Sequence, residues 1–493
     1  MSTATDKNAQ ALKALFGDLA LAGRLGSTRI AVVTPSDELP KSAKLLAEVL
    51  ADVLGRLWPN IDFSGSGAEL QLDTAVNAAK SGGAPADGLS IGWNPPYDCT
   101  VFVGKTIDYE TGYVVHVGAN DWEVQLGSEA ICGDSSNPVG PAFAAAMAAA
   151  QVFHHVFEEE LAGMDSPPLG ICKVDIRDLF DAKSLEVGSL NLKETHVFGV
   201  GAVTHGLVWL LEHWPRTVTG TLHLVDQDNY GHSNGQRYAF MRPENPGMAK
   251  VTSVKERLDA AHPHLLVGSH PVDLNSYCAE QGYNNRLHRV ITGLDSAEAR
   301  RQASLKLPER AVNMWTEGVR VGAGKYEPGD GRACLACGYL EKTTTALDEV
   351  AEICQQTGIR PDLVRILLDS GRGLTLQEAN TVAGNRGVVP DQFVGQPLRS
   401  VLPALCATGS IQMPDNSEVV DVPFAFASLF AGIAGFVMLL KDCFCDTNSS
   451  CDWKQHIFKR PTSYMYSPQH SNPQCVCCSM MSVLAAAEHS KCE

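Results

Sequence analysis

Apolar and polar positions along the first 160 residues switch repeatedly between two periods. Ala11, Leu12, Leu15, Phe16, Leu19 and Leu21 are spaced for one face of a helix over 10–25, which runs into a short strand, Arg29-Ile-Ala-Val-Val33. Ala43 to Leu57 repeats the helical spacing, and Cys99-Thr-Val-Phe-Val103 is the continuous apolar run of a buried strand. Tyr113–Val117 and Trp122–Leu126 read as strands around a polar turn, and Pro141–Glu160 as an Ala-rich helix ending in acids. This alternation predicts an α/β fold, a parallel or mixed sheet covered by helices.

Ser166-Pro-Pro-Leu-Gly170 and the polar run to Asn191 predict a linker, after which the pattern restarts. Thr195–Val200 is a strand, Gly206–His213 a helix and Thr221–Val225 a second strand. Each half opens strand–helix and carries a late Ala/Gly-rich helix, at 141–157 and 423–440, which hints at internal duplication. Residues 344–388 differ. Short helical pieces, Leu347–Cys354 and Pro361–Leu368, are separated by Gly358 and Gly371–Gly373, as in a small helical insertion. Val422–Leu440 is uncharged and near the roughly 20 residues a membrane span needs. It begins at Pro423, is rich in Ala and Gly and lacks aromatic or basic flanks, so a buried core helix is expected.

Length and charge narrow the classes. A chain of 493 residues holds two to four domains, and a net charge of −17 opposes broad binding to nucleic-acid phosphates. The same charge opposes reading Leu374-Thr-Leu-Gln-Glu-Ala-Asn as part of a DNA-binding helix-turn-helix. The polar start lacks the order of a secretion signal. Fifteen cysteines, seven of them from Cys443 to Cys492, are then expected as reduced thiols, metal ligands or nucleophiles. The expectation is a cytoplasmic chain with neither a membrane nor a nucleic acid as partner.

The chemistry is concentrated after residue 195. Gly199-Val-Gly201-Ala-Val-Thr204-His-Gly206 follows a strand and opens a helix, where glycines let backbone approach a phosphate. The next strand ends in Asp226-Gln-Asp228, where an acid can accept hydrogen bonds from ribose hydroxyls. Ser233-Asn234-Gly-Gln-Arg237, Gly247-Met-Ala-Lys250 and Gly293-Leu-Asp295, running on to Arg300, come next. A nicotinamide dehydrogenase has no need of that order of cations and acids, whereas a nucleoside triphosphate does. Arg237 and Lys250 can bind phosphates and Asp295 can hold magnesium.

In these motifs the chain resembles the ubiquitin-activating enzymes and their bacterial relatives that adenylate sulfur-carrier proteins. The family pattern stands here as Gly199/Gly201, Asp226/Asp228, Asn234/Arg237, Lys250 and Asp295 to Arg300, with two departures: Thr204 for a glycine and Gly235 for a leucine. The resemblance implies two Rossmann-like adenylation folds in one chain: an inactive domain at 1–190 and an active one beginning at 191–343. A helical insertion at 344–400 and a crossover segment with the rest of the active fold at 401–493 would complete it. Proline replaces the glycine loop in the first half, at Val33-Thr-Pro35. The implied cofactors are ATP, Mg2+ and Zn2+. The implied partners are a ubiquitin-like protein, activated at its C-terminal carboxylate, and a conjugating-type enzyme, as in bacterial operons associated with antiphage defence. A sulfur-carrier adenylyltransferase without a thioester step is the alternative.

The family also carries two Cys-x-x-Cys pairs, matched here by Cys334/Cys337 and Cys475/Cys478, which suit a structural zinc site of four cysteines. Cys443, Cys445 and Cys451 compete with the second pair, and Cys477 is a register rival. A thioester-forming member needs a nucleophile beyond the first pair. Cys406, just ahead of the 423–440 helix, is the expected residue and Cys354, on an apolar helical face, the rival. Arg24 is the candidate arginine with which the first half would reach the ATP.

Overall fold

The computed structural model describes residues 4–105, 112–162, 172–280, 286–329, 331–340, 350, 353–354, 357–386, 390, 393–398, 401, 410–411, 420–421, 424–445, 449–462 and 466–480. The chain divides into two compact units. The larger comprises Met1–Leu12, Asp18–Leu340 and Pro423–Glu493, and the smaller Lys13–Gly17 and Glu341–Val422.

The larger unit builds one architecture twice. Its first part runs α1 (Ala4–Phe16, of which residues to Leu12 belong to this unit), α2 (Ala22–Ser27), β1 (Ile30–Val33), α3 (Lys41–Gly55), β2 (Ile61–Ser64), α4 (Ala68–Ser81) and β3 (Leu89–Ile91). β4 (Cys99–Val103), β5 (Tyr113–Asn120), β6 (Glu123–Leu126), α5 (Val139–Val156), α6 (Glu158–Ala162), β7 (Cys172–Asp175) and α7 (Ile176–Leu179) follow. The sheet order is β3-β2-β1-β4-β5-β6-β7, with β1 to β5 parallel and β6 and β7 antiparallel. β1 and β4 are buried throughout, as continuous apolar runs covered on both faces must be.

The second part runs β8 (Leu190–Phe198), α8 (Ala202–Glu212), β9 (Val218–Val225), α9 (Lys250–Ala261), β10 (Leu265–His270), α10 (Leu274–Glu280) and β11 (Arg289–Thr292). α11 (Ala297–Ser304), β12 (Arg310–Glu317) and β13 (Arg320–Tyr326) lead to the smaller unit, where β14 (Ser410–Ile411) and β15 (Val420–Asp421) form a short antiparallel pair. The chain then returns through the helix Ala425–Phe444 to β16 (Cys451–His456) and β17 (Tyr466–Pro468). The second sheet, β10-β9-β8-β11-β12-β13-β16-β17, has the same parallel core closed by antiparallel strands. The two Rossmann-like sheets account for the repeated hydropathy pattern.

Two expectations change. The helix expected over 10–25 is two helices interrupted at Gly17, whose φ of +78° belongs to the left-handed region. The linker expected to Asn191 contains β7 and α7. β7 pairs with β6 and buries Cys172 and Val174, so this segment finishes the first sheet. Four residues with two apolar positions are too short for periodicity to reveal.

The late helices meet in the core. Phe143 and Phe153 of α5 lie 4.5 Å from Phe430 and 4.7 Å from Phe424, centroid to centroid. Ala425–Phe444 is apolar and long enough to cross a membrane, and it lies almost wholly buried in the protein. It crosses α8 at backbone distance, since a Cβ on Gly432 would fall 2.8 Å from the Cα of Gly206. Near its end, buried Asp442 accepts a 2.6 Å bond from Arg289 Nε, both side chains being almost inaccessible.

The smaller unit packs Ile359, Val364, Leu367, Val382 and Phe393 into a core of its own. Its helix Pro361–Ser370 starts with proline at the first turn and stops at Gly371, φ +62°. A second helix, Leu376–Arg386, follows, and Arg372 binds Glu378 at its start.

Candidate functional site

The site develops at the C-terminal ends of β8, β9 and β11, where the parallel strands hand over to loops. Gly199 turns the chain out of β8 with φ +85°, and a Cβ there would stand 3.0 Å from Gly293 O. Gly201 caps α8 without any side-chain acceptor, leaving the first amides of the helix available to an anion. Thr204, in the place of a glycine, donates its hydroxyl to Gly199 O at 2.7 Å. Gly293 accommodates that hydroxyl, since a Cβ on it would lie 2.3 Å from Thr204 Oγ1. The departure from the glycine pattern is thus matched by a glycine directly after the neighbouring strand β11.

Asp226 holds this loop. Its carboxylate accepts from Val200 N at 2.7 Å and from Asp228 N at 2.8 Å. Lys250, the first residue of α9, is buried with Nζ 2.8 Å from Asp228 Oδ2 and 3.7 Å from Asp226 Oδ2. Burial disfavours its charge, but Tyr238 and the two acids outweigh burial and raise its pKa. The Arg237 guanidinium and the Lys250 ammonium each lie 5.6 Å from the centre of the Tyr238 ring. Among the described residues Arg237 makes no side-chain hydrogen bond or ion pair. Asn234 Oδ1 accepts from Gly231 N at 2.8 Å and fixes the short helix His232–Gln236 that ends at Arg237.

Asp295 is exposed two residues beyond Gly293 and makes no side-chain bond among the described residues. Arg300 is directed elsewhere: it donates to Leu294 O at 2.5 Å and lies 5.0 Å from the centre of the Tyr339 ring, fastening the Asp295 loop from below. Arg24 is bound by Glu160 at 2.8 Å and by Val156 O at 3.2 Å, and so braces the end of α5. Cys406 falls outside the described residues. Cys354 is half-buried against the apolar core of the smaller unit.

Three contributors were not singled out from sequence. Tyr238 adjoins Arg237 and offers its ring to both cations. Buried His205, in α8, bonds Gly201 O at 2.8 Å through Nδ1 and Tyr230 at 2.6 Å through Nε2; burial pushes its pKa down to about 3. Arg56, directly after α3 of the first fold, is the most consequential. Its side chain is fully buried, is ion-paired with Asp52 and donates to Gly235 O at 2.8 Å and Met241 O at 3.1 Å. Gly235 itself rests on Gly82, where a Cβ would come within 2.4 Å, so the leucine of the family pattern has no room here. An acid and a base four residues apart among the apolar residues that end α3 were the available signal.

The cysteines converge independently. The sulfurs of Cys334, Cys337, Cys475 and Cys478 all lie within 4.8 Å of one another. Cys334–Cys475 and Cys337–Cys478 are each 3.4 Å apart and Cys334–Cys337 3.8 Å. Four thiolates about 2.3 Å from a tetrahedral zinc are separated by about 3.8 Å, so the donor set fits that ion. Asn472 N directs a hydrogen bond at Cys337 Sγ, 3.3 Å away, as an outer-shell donor would. Of the rivals, Cys451 starts β16, Cys445 lies 3.6 Å from Ser184 Oγ, and Cys477 is buried in the apolar packing beside the four.

Comparison with known proteins places this geometry in context. The model of the ThiF family matches residues 180–491. An uncharacterized protein, y4jF of Sinorhizobium fredii, is 29% identical over 377 residues, 73% of this chain and 72% of that protein. The adenylyltransferase and sulfurtransferase UBA4 of Vanderwaltozyma polyspora is 33% identical over 88 residues, 18% of this chain and 20% of that protein. Among solved structures, Escherichia coli MccB in complex with MccA-N7isoASN matches with a TM-score of 0.34 and 13% identity, covering 58% of this chain and 67% of that one.

Proposed function

The chain belongs to the ThiF family of E1-like adenylyltransferases, and from that premise we propose that it activates a ubiquitin-like protein at its C-terminus. The observation that carries this reading is the gathering of Arg237 and Lys250, each 5.6 Å from the centre of the Tyr238 ring, with Lys250 3.7 Å from the Asp226 carboxylate that holds Val200 of the glycine loop.

In this reading ATP lies over the ends of β8 and β9. Asp226 accepts hydrogen bonds from the ribose, and the open amides at the start of α8 face the phosphates. Arg237 and Lys250 neutralise the charge that develops as a carboxylate oxygen of the carrier attacks the α-phosphorus. The Pα–O bond to the β-phosphate breaks, pyrophosphate leaves, and the carrier keeps AMP as a mixed anhydride. Asp295 is the residue that would hold Mg2+, which supplies further neutralisation when bound. The second step assigns Cys406 as nucleophile: its thiolate attacks the acyl carbon, AMP leaves, and a thioester forms that a conjugating-type enzyme's cysteine then accepts.

The first fold carries no corresponding groups, since Pro35 stands where its glycine loop would be, and we assign it a supporting role through Arg56. Cys334, Cys337, Cys475 and Cys478 would hold Zn2+ as a structural cross-link between the segment after β13 and the C-terminal region. Such thiolates must stay reduced, which fits a cytoplasmic setting; an operon-encoded bacterial conjugation pathway is the setting that the resemblance implies.

ATP–pyrophosphate exchange in the presence of candidate carriers tests the first step. Asp295→Ala should abolish exchange and leave the fold intact, because its side chain is exposed; an unchanged rate refutes its role. Non-reducing electrophoresis tests the second. A thiol-sensitive carrier adduct lost in Cys406→Ala supports the thioester. Exchange without any adduct favours the sulfur-carrier alternative, the reading suggested by the similarity to UBA4.

A further inference from the structure

A second group of metal-type donors lies on the sheet of the active fold, away from the cysteines. His196 on β8 and His223 on β9 are direct cross-strand neighbours, their rings stacked 4.8 Å apart. Glu194, two residues before His196 on the same face, presents Oε1 3.7 Å from His196 Nε2 and 3.9 Å from His223 Nε2. One donor atom from each residue lies within 4.8 Å of the other two. His196 is 1% exposed, yet its Nε2 has no hydrogen-bond partner. A buried nitrogen left without a partner is costly, and here it faces a carboxylate and a second imidazole.

The outer nitrogens are already engaged. His196 Nδ1 is 2.9 Å from Tyr277 OH, and His223 Nδ1 is 3.2 Å from His270 Nε2. With Nδ1–H donating in both pairs, the two Nε2 lone pairs are free, each nitrogen within 4 Å of Glu194 Oε1. Such tautomer-fixing contacts are what metal-bound imidazoles make through their other nitrogen. Zinc held tetrahedrally by nitrogen and oxygen at about 2.0–2.1 Å spaces its donors about 3.3 Å apart. The Glu194 side chain is 61% exposed and the His223 side chain 21% exposed, so rotation of both can bring the three donors to that spacing around buried His196. His223 also lines an open surface recess of about 410 Å³, which provides a path from solvent; Lys255 in that recess is neutralised by Asp259 at 2.6 Å.

We propose that Glu194, His196 and His223 form a second metal site, a two-histidine, one-carboxylate centre for a first-row divalent cation such as Zn2+. Three protein ligands leave at least one coordination position for water. The placement also gives the site a consequence. His196 stands three residues before Gly199 and His223 three before Asp226, so one ion cross-links the two strands whose ends carry the nucleotide loop and its acid.

Equilibrium dialysis of the full chain against Zn2+, with bound metal measured by mass spectrometry, tests this independently of any enzymatic activity. Wild type is expected to bind two equivalents, one of them lost in Cys475→Ser. Glu194→Gln and His223→Gln should each lose the other, with affinity at that site reduced at least ten-fold. Added Zn2+ should raise the melting temperature of Cys475→Ser and not that of Cys475→Ser combined with Glu194→Gln. Retention of the wild-type stoichiometry and affinity in both Glu194→Gln and His223→Gln, with circular dichroism unchanged, overturns the proposal. So does a single equivalent in wild type that Cys475→Ser abolishes.

Discussion

Replacing Arg56 by alanine is expected to cost far more than a surface arginine would, and to disturb the second fold as well as the first. The guanidinium is completely inaccessible and makes five directed contacts. Two go to Asp52, at 2.9 and 2.6 Å, and one to Ser81 Oγ at 3.0 Å; the others reach Gly235 O and Met241 O. Alanine would leave Asp52 as a buried carboxylate without its counter-ion, a loss of about 3–5 kcal/mol. It would also strip the donor from two carbonyls in the segment that carries Arg237. Asp52 retains the amide of Phe240, 3.0 Å away, a residue held at φ +60°. Replacing both partners, as Asp52→Leu with Arg56→Met, removes the unpaired charge and should recover about half the loss, leaving the carbonyl and amide contacts as the remainder. Urea unfolding of wild type, Asp52→Leu, Arg56→Met and their combination gives the coupling directly, expected at about 1–3 kcal/mol. Pyrophosphate exchange below the melting range should show a raised KM for ATP in the single variant. A single-variant loss under about 1 kcal/mol, or strictly additive losses in the pair, would refute the argument that the ion pair braces the loop.

Three further outcomes follow from other parts of the structure. Gly293→Ala places a Cβ against Thr204 Oγ1 and should lower stability by about 1–3 kcal/mol, with Thr204→Gly in the same chain restoring it; thermal melting of the single and double variants decides. Removal of zinc from the four-cysteine cluster by a strong chelator should lower the melting temperature before it slows adenylation, and Cys478→Ser should do the same without chelator. His205 is buried with its pKa pushed down to about 3, so the unfolded chain binds its proton first as pH falls. Its contribution is complete above about pH 6.5 and is lost towards pH 3 at about 1.4 kcal/mol per pH unit. The slope of unfolding free energy between pH 6 and 4 should therefore be shallower by about one proton in His205→Gln, and identical slopes would contradict the assignment.

Much of the candidate site was legible because its groups sit at fixed short distances from strand ends. Gly199, Gly201, Asp226 and Lys250 each follow a recognisable strand or open a helix, Arg237 stands at a fixed step after Asn234, and a parallel sheet brings consecutive strand ends to one edge. Arg300 was legible as a member of the motif but its contacts were not, because a cation's partner is settled by what packs beside it, here Leu294 O and the ring of Tyr339. β7 escaped because a short edge strand is defined by its partner β6 and not by its own four residues.

Taken alone, the sequence determined the alternation of strands and helices, hinted at the duplication, and set the order of the candidate phosphate-binding groups and the spacing of the Cys-x-x-Cys pairs. These depend on neighbours within a few residues, where periodicity and spacing act directly. Only the tertiary structure decided that Cys475 and Cys478, and not their rivals, lie beside Cys334 and Cys337, that Gly293 makes room for Thr204, and that Arg56 of the first fold supports the loop of the second. Those contacts span 89 to 179 residues of chain. Their energies come from desolvating and pairing groups that meet only when both sheets are assembled, and no local pattern encodes such a meeting.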